Sequence, residues 1–111
     1  LWRQRTGKVE EIAAPGLAIG VDRGDVFERV TRDVTVPLES GDVLLLYTDG
    51  VNEATDHKEQ LFGEQRIEQI LAQFAPQGAQ AVADELSKAV NEFLADEPQN
   101  DDITLVVIRR K

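Results

Sequence analysis

The chain has 111 residues, with 21 acidic against 12 basic side chains for a net charge of −9, and it contains neither cysteine nor methionine. That length suffices for one domain with a modest core, burying roughly two-thirds of the unfolded surface. The acid excess disfavours nucleic-acid backbones and anionic membranes as partners, the missing cysteine excludes disulfides, thiolate nucleophiles and zinc–thiolate sites, and a cytoplasmic location suits such a composition.

The chain opens Leu1-Trp2-Arg3 rather than on methionine, so a piece of a longer protein is expected. Leu1 to Arg5 reads as a short strand or an end, Thr6-Gly7-Lys8 as a turn, and Val9 to Ile12 as a returning strand. Ala14-Pro15-Gly16 is a break, and a short apolar piece, Leu17 to Val21, is closed by Asp22-Arg23-Gly24-Asp25. Val26, Val30, Val34 and Val36 share one parity while Arg29, Thr31, Asp33 and Thr35 share the other, which predicts a half-buried strand over 26–36. After a turn at Pro37 to Asp42, the apolar run Val43 to Tyr47 predicts a central strand buried on both faces, far shorter than a membrane span. Val51 to Gly63 is polar and reads as an irregular surface loop.

Two helices come next. Ile67, Ile70, Leu71 and Phe74 fall at helical spacing, and Pro76-Gln77-Gly78 ends that helix. Val82, Leu86, Val90, Phe93 and Leu94 form a second stripe over Ala79 to Ala95. Asp96 to Asn100 is a breaker loop, Ile103 to Ile108 a final buried strand, and Arg109-Arg110-Lys111 a solvated end. This order predicts an α+β fold, a mainly antiparallel sheet with two helices on one face. Two helices cannot cover every strand, so one sheet face is expected to lack its natural partner. A bare face or edge invites another chain, which makes a homodimer an expectation as well.

Two segments end or begin strands with acids. Leu44-Leu45-Leu46-Tyr47-Thr48-Asp49-Gly50 fixes Asp49 at a rigid strand end, followed by a glycine that permits a sharp turn. Asn100-Asp101-Asp102 precedes the last strand. Each segment by itself also reads as an ordinary turn or a charged strand edge. Carboxylates brought to contact range repel by about 1 kcal/mol in water and about 4 kcal/mol near a protein surface, and a shared divalent cation reverses that sign. Hard cations such as Mg²⁺ and Mn²⁺ take this kind of oxygen ligand. Asp49 leaves its strand and Asp101 enters its own, so the two can meet only if those strands are antiparallel neighbours. Other chemistries find little support. His57 sits in the polar loop, and Ser40 and Ser87 have no evident base. Neither Gly-x-Ser-x-Gly nor a phosphate-cradling glycine loop occurs.

The block Gly41 to Ala54, then Phe62-Gly63 with Arg66-Ile67, then Asp101 to Val107, resembles the bacterial metal-dependent, type 2C-like serine/threonine protein phosphatases. Its order and spacing are closest to their stage II sporulation protein E (SpoIIE) branch, which includes regulators of stress sigma factors. The resemblance implies an α-β-β-α sandwich holding two Mn²⁺ or Mg²⁺ ions. It implies in-line attack by water on phosphoserine or phosphothreonine, with no phosphoenzyme. The substrate it implies is a phosphorylated protein, typically an anti-sigma-factor antagonist. Carried over, Asp49 and Asp101 match metal ligands, with Asp102 as an alternative ligand and Thr48 and Gly50 as supporting neighbours. The family's earlier Gly-Asp-x-x-Asp and Gly-His-Gly segments do not occur here. The chain is therefore expected to be the C-terminal portion of one phosphatase domain, inactive alone. A non-catalytic signalling module of the same fold is the alternative.

Overall fold

The computed structural model describes residues 1–16 and 18–111. Four strands form one antiparallel sheet: β1 (Trp2–Arg3), β2 (Lys8–Val9), β3 (Val43–Tyr47) and β4 (Leu105–Arg109), in the order β2-β1-β3-β4. The β1–β2 hairpin closes where expected, with the Thr6 and Gly7 amides donating to the Arg3 carbonyl and Gly7 at φ +65°. The returning strand is shorter than the span to Ile12, since only Lys8 and Val9 pair. β3 and β4 pair along their whole length, from Val43↔Arg109 to Tyr47↔Leu105.

Helices α3 (Glu64–Phe74) and α4 (Ala79–Leu94) occupy the predicted spans, joined by a 3₁₀ turn over Ala75–Gln77 and by Gly78 at φ +112°. Their apolar stripes lie on one face of the sheet. Ile67 and Leu71 of α3 and Val82, Leu86, Val90 and Leu94 of α4 form one buried cluster with Trp2, Val43 and Leu45. Each such side chain contributes about 1.5–3 kcal/mol by leaving water. This is the expected fold class, with helices and an antiparallel sheet segregated into layers.

Three expectations need correction. Residues 26–36 are not a strand: Val26–Val30 forms a short helix, α1, and 31–39 runs on without regular structure. The valines at 26 and 30 satisfy helical i,i+4 spacing as well as period two, and local contacts decide between them. The Asp22 carboxylate accepts the Gly24 and Val26 amides at 2.8 and 3.1 Å, and Asp25 pairs with Arg29 across one turn at 3.3 Å. Second, β3 is not buried on both faces. Val43 and Leu45 are buried, whereas Leu46 is 52% exposed. On β4, likewise, Leu105 and Val107 pack toward the helices while Val106 and Ile108 face outward. Cross-strand pairs Leu44↔Ile108 and Leu46↔Val106 therefore make an apolar outer face, the bare face anticipated from the element count. Third, the stretch after β3 is not an irregular polar loop. It begins with a short helix, α2 (Asp49–Asn52), closes with a Thr55↔Leu61 bridge, and buries Val51, Ala54 and Phe62 in the core.

His57 is exposed, as expected. Of the apolar piece 17–21, Ile19 and Val21 lie on an exposed turn, and Leu17 falls outside the described residues. Among the described residues, no helix is long and apolar enough to cross a membrane.

Candidate functional site

The antiparallel pairing of β3 and β4 meets the geometric demand set by the two acids: the end of one strand adjoins the start of the other. Past Tyr47↔Leu105 the Thr48 amide still donates to the Thr104 carbonyl at 3.0 Å. The Thr48 hydroxyl donates to the Asp102 carbonyl at 3.1 Å and accepts the Thr104 amide at 3.1 Å, stitching the two chain ends beyond the sheet. Asp49 follows as the first residue of α2, its carbonyl accepting the Glu53 amide at 2.9 Å. Asp101 turns its chain locally: one carboxylate oxygen accepts the Asp102 amide at 2.7 Å, and the Gln99 side-chain amide donates to its carbonyl at 2.7 Å. Both aspartates are exposed.

Gly50 makes this apposition work, for a reason other than a sharp turn. It is buried inside α2, and a Cβ at this position would lie 2.1 Å from the Asp102 carbonyl oxygen and 3.3 Å from that of Asp101. Only a residue without a side chain lets α2 press against the Asp101-Asp102 turn. Beside this contact lies a pocket of about 260 Å³ lined by Gly50, Glu53, Ala54, Leu94, Asn100 and Asp101, among others. Asp102 contributes its backbone carbonyl to the closure. Among the described residues no group of three or more metal-binding side chains gathers. The donor set at the β3 and β4 ends is carboxylate oxygen alone, the chemistry of a hard cation rather than of zinc or copper.

A third acid escaped the sequence reading. Asp42, placed in a turn, is wholly buried at the start of β3. Its carboxylate accepts the Arg3 guanidinium at 2.8 Å and the amides of Gln4 and Glu39, each at 3.0 Å. Burial pushes this carboxyl up, but the Glu39 amide, the Arg3 guanidinium and the Gln4 amide outweigh it and hold the group below its ordinary value. Arg3 lies 39 residues away, so nothing local marks the pair. The arrangement braces the β1–β2 turn against β3 and has no access to a ligand.

The family described as Stage II sporulation protein E (SpoIIE) matches the chain over residues 1–111. The chain belongs to the SpoIIE family. Its fold is similar to the SiaA-PP2C domain of Pseudomonas aeruginosa, with a TM-score of 0.64 and 31% identity over 72% of this chain and 33% of that one. It is also similar to the phosphatase domain of the cell-fate determinant SpoIIE from Bacillus subtilis, presoaked with Mn, with a TM-score of 0.58 and 26% identity over 81% of this chain and 40% of that one. No curated protein sequence matches it. The SpoIIE-family chain thus spans well under half the length of these two phosphatase domains, and its helix-backed four-stranded sheet is a PP2C-like fold.

Proposed function

We propose that this SpoIIE-family chain is the C-terminal portion of a protein serine/threonine phosphatase domain and contributes Asp49 and Asp101 to its metal centre. The observation that carries this reading is the Gly50 contact, which closes two acid-bearing chain ends onto each other at one corner of the sheet. A hard cation shared by the two carboxylates would offset their mutual repulsion. When bound, Mn²⁺ or Mg²⁺ supplies Lewis-acid charge for the phosphoryl group and eases deprotonation of the attacking water. The chain's own part is to present two hard oxygen ligands where β3 leads into α2 and where the Asp101-Asp102 turn leads into β4, with Thr48 and Gly50 holding those segments together and Asp102 closing the turn through its backbone. The remaining ligands come from outside these residues, so the 111-residue chain alone binds the ion weakly and turns nothing over. The substrate class is a phosphorylated regulatory protein of the anti-sigma-factor antagonist type, acted on in the cytoplasm, and the bare sheet face leaves a homodimer open to the isolated chain.

The test is a phosphoserine-peptide assay with Mn²⁺ on the complete domain, with Asp49→Asn and Asp101→Asn as variants. Each is expected to lower turnover by about 100-fold or more while leaving the thermal midpoint nearly unchanged, because both side chains are exposed and asparagine keeps their shape. Unimpaired turnover in either variant removes that residue from the centre. A complete domain without phosphatase activity that still binds its phosphoprotein favours the non-catalytic module instead.

A further inference from the structure

The stretch that follows Asp49 and the helix that leads toward Asp101 meet at a second place, away from Gly50. Arg66, in the first turn of α3, donates from one guanidinium nitrogen to the carbonyls of Leu61 and Phe62 at 2.9 and 2.7 Å. Its guanidinium carbon lies 4.7 Å from the ring centre of Phe93 and 5.8 Å from that of Phe62. The two rings meet edge to face, 5.4 Å apart and inclined at 75°. Such a cation, set against two aromatic rings and bonded to two carbonyls, is held in one place although the residue is exposed.

What it touches gives it a direction. On one side the Phe62 amide donates to the Ala54 carbonyl at 2.7 Å and the Gly63 amide to the Asn52 carbonyl at 2.9 Å. These bonds fasten the segment held by Arg66 to the end of α2, whose first residue is Asp49. On the other side Phe93 lies at the end of α4, immediately before the 95–100 loop that delivers Asp101. Arg66 therefore sits where the Asp49 branch and the Asp101 branch meet, over the direct contact of Phe62 with Phe93.

From this geometry we infer that Arg66 is a positioning residue for the metal centre, setting the spacing of Asp49 and Asp101 without touching ion or substrate. The inference rests on the metal-site reading given above. The plain structural alternative is a side chain that only secures the start of α3, and it predicts lost stability with unchanged affinity for metal.

The experiment is Mn²⁺ titration of the complete domain, followed by the electron spin resonance signal of free Mn²⁺, beside thermal unfolding of the metal-free protein. Arg66→Gln removes the cation, and Arg66→Lys keeps it on a shorter, non-planar group. Leu86→Val, in the fully buried middle of α4, serves as a variant that lowers stability away from the site. Arg66→Gln is expected to weaken Mn²⁺ binding about tenfold or more, and Arg66→Lys, which keeps the charge but not the planar fork, to weaken it by a smaller but measurable factor of about three. Leu86→Val should lower the thermal midpoint with Mn²⁺ affinity unchanged. Should Arg66→Gln behave like Leu86→Val, or should Arg66→Lys alone fold and bind Mn²⁺ as the unsubstituted domain does, the positioning role is overturned while the metal centre stands. An unsubstituted domain that takes up no Mn²⁺ overturns both.

Discussion

At the scale of single residues, Asp42 shows how a buried charge is kept. Its carboxylate accepts one guanidinium and two amides, and these together outweigh the penalty of burial. A group whose folded-state pKa is depressed contributes stability that is complete above its unfolded value and lost as pH falls through the folded one. For Asp42 the ordinary value is 3.8, so this contribution is intact at neutral pH and disappears on acidification from about pH 4 downward. Asp42→Asn keeps the volume but strands the Arg3 guanidinium without its buried partner. The expected result is a thermal midpoint lowered by roughly 10 °C or more at pH 7, with the gap to the unsubstituted protein narrowing below pH 4. Melting curves recorded from pH 3 to pH 7 check this, and a gap independent of pH refutes the assignment.

At the scale of elements, legibility in the sequence followed the range of the forces. The α4 stripe Val82, Leu86, Val90 and Leu94 repeats every four residues and meets one sheet face, so pattern alone located the helix. Val26 and Val30 satisfied two periods at once, and a capping carboxylate from Asp22 decided for a helix. For Asp49 and Asp101 the sequence set only a condition, that their two apolar runs be antiparallel neighbours, and β3 and β4 meet it. The Asp42–Arg3 pair and the contact of Arg66 with Phe93 were not legible, since each joins residues far apart in the chain. Gly50 was noticed for the wrong property: its task is a close approach between elements. Gly50→Ala is therefore expected to separate α2 from the Asp101-Asp102 turn, destabilising the domain by about 1–3 kcal/mol and weakening Mn²⁺ binding in the same variant. Urea unfolding together with Mn²⁺ titration checks both, and an alanine accepted without loss in either shows that α2 and the Asp101-Asp102 turn can part without cost.

At the scale of the whole molecule, the sheet has one dressed face and one bare face. The dressed face carries two helices and the core, while Leu46, Val106 and Ile108 stand 52, 48 and 44% exposed on the other. Contiguous exposed apolar surface of this kind marks a place where something packs. The proposed division of labour, with this chain as part of a larger domain, makes a differential prediction at Leu46. In the isolated 111-residue chain Leu46→Lys puts a charge into water, so stability should shift by no more than about 0.5 kcal/mol and self-association should fall. In the complete domain the same lysine must enter a covered layer, where an unpaired charge is costly, and the expected loss is about 3 kcal/mol or more. Sedimentation of the short chain and chemical unfolding of both lengths decide the matter. Equal, small effects in the two contexts mean that the face stays open to solvent. The acidic corner would then sit on a sheet with no second layer, without a surface from which the remaining ligands of a two-metal centre could reach it.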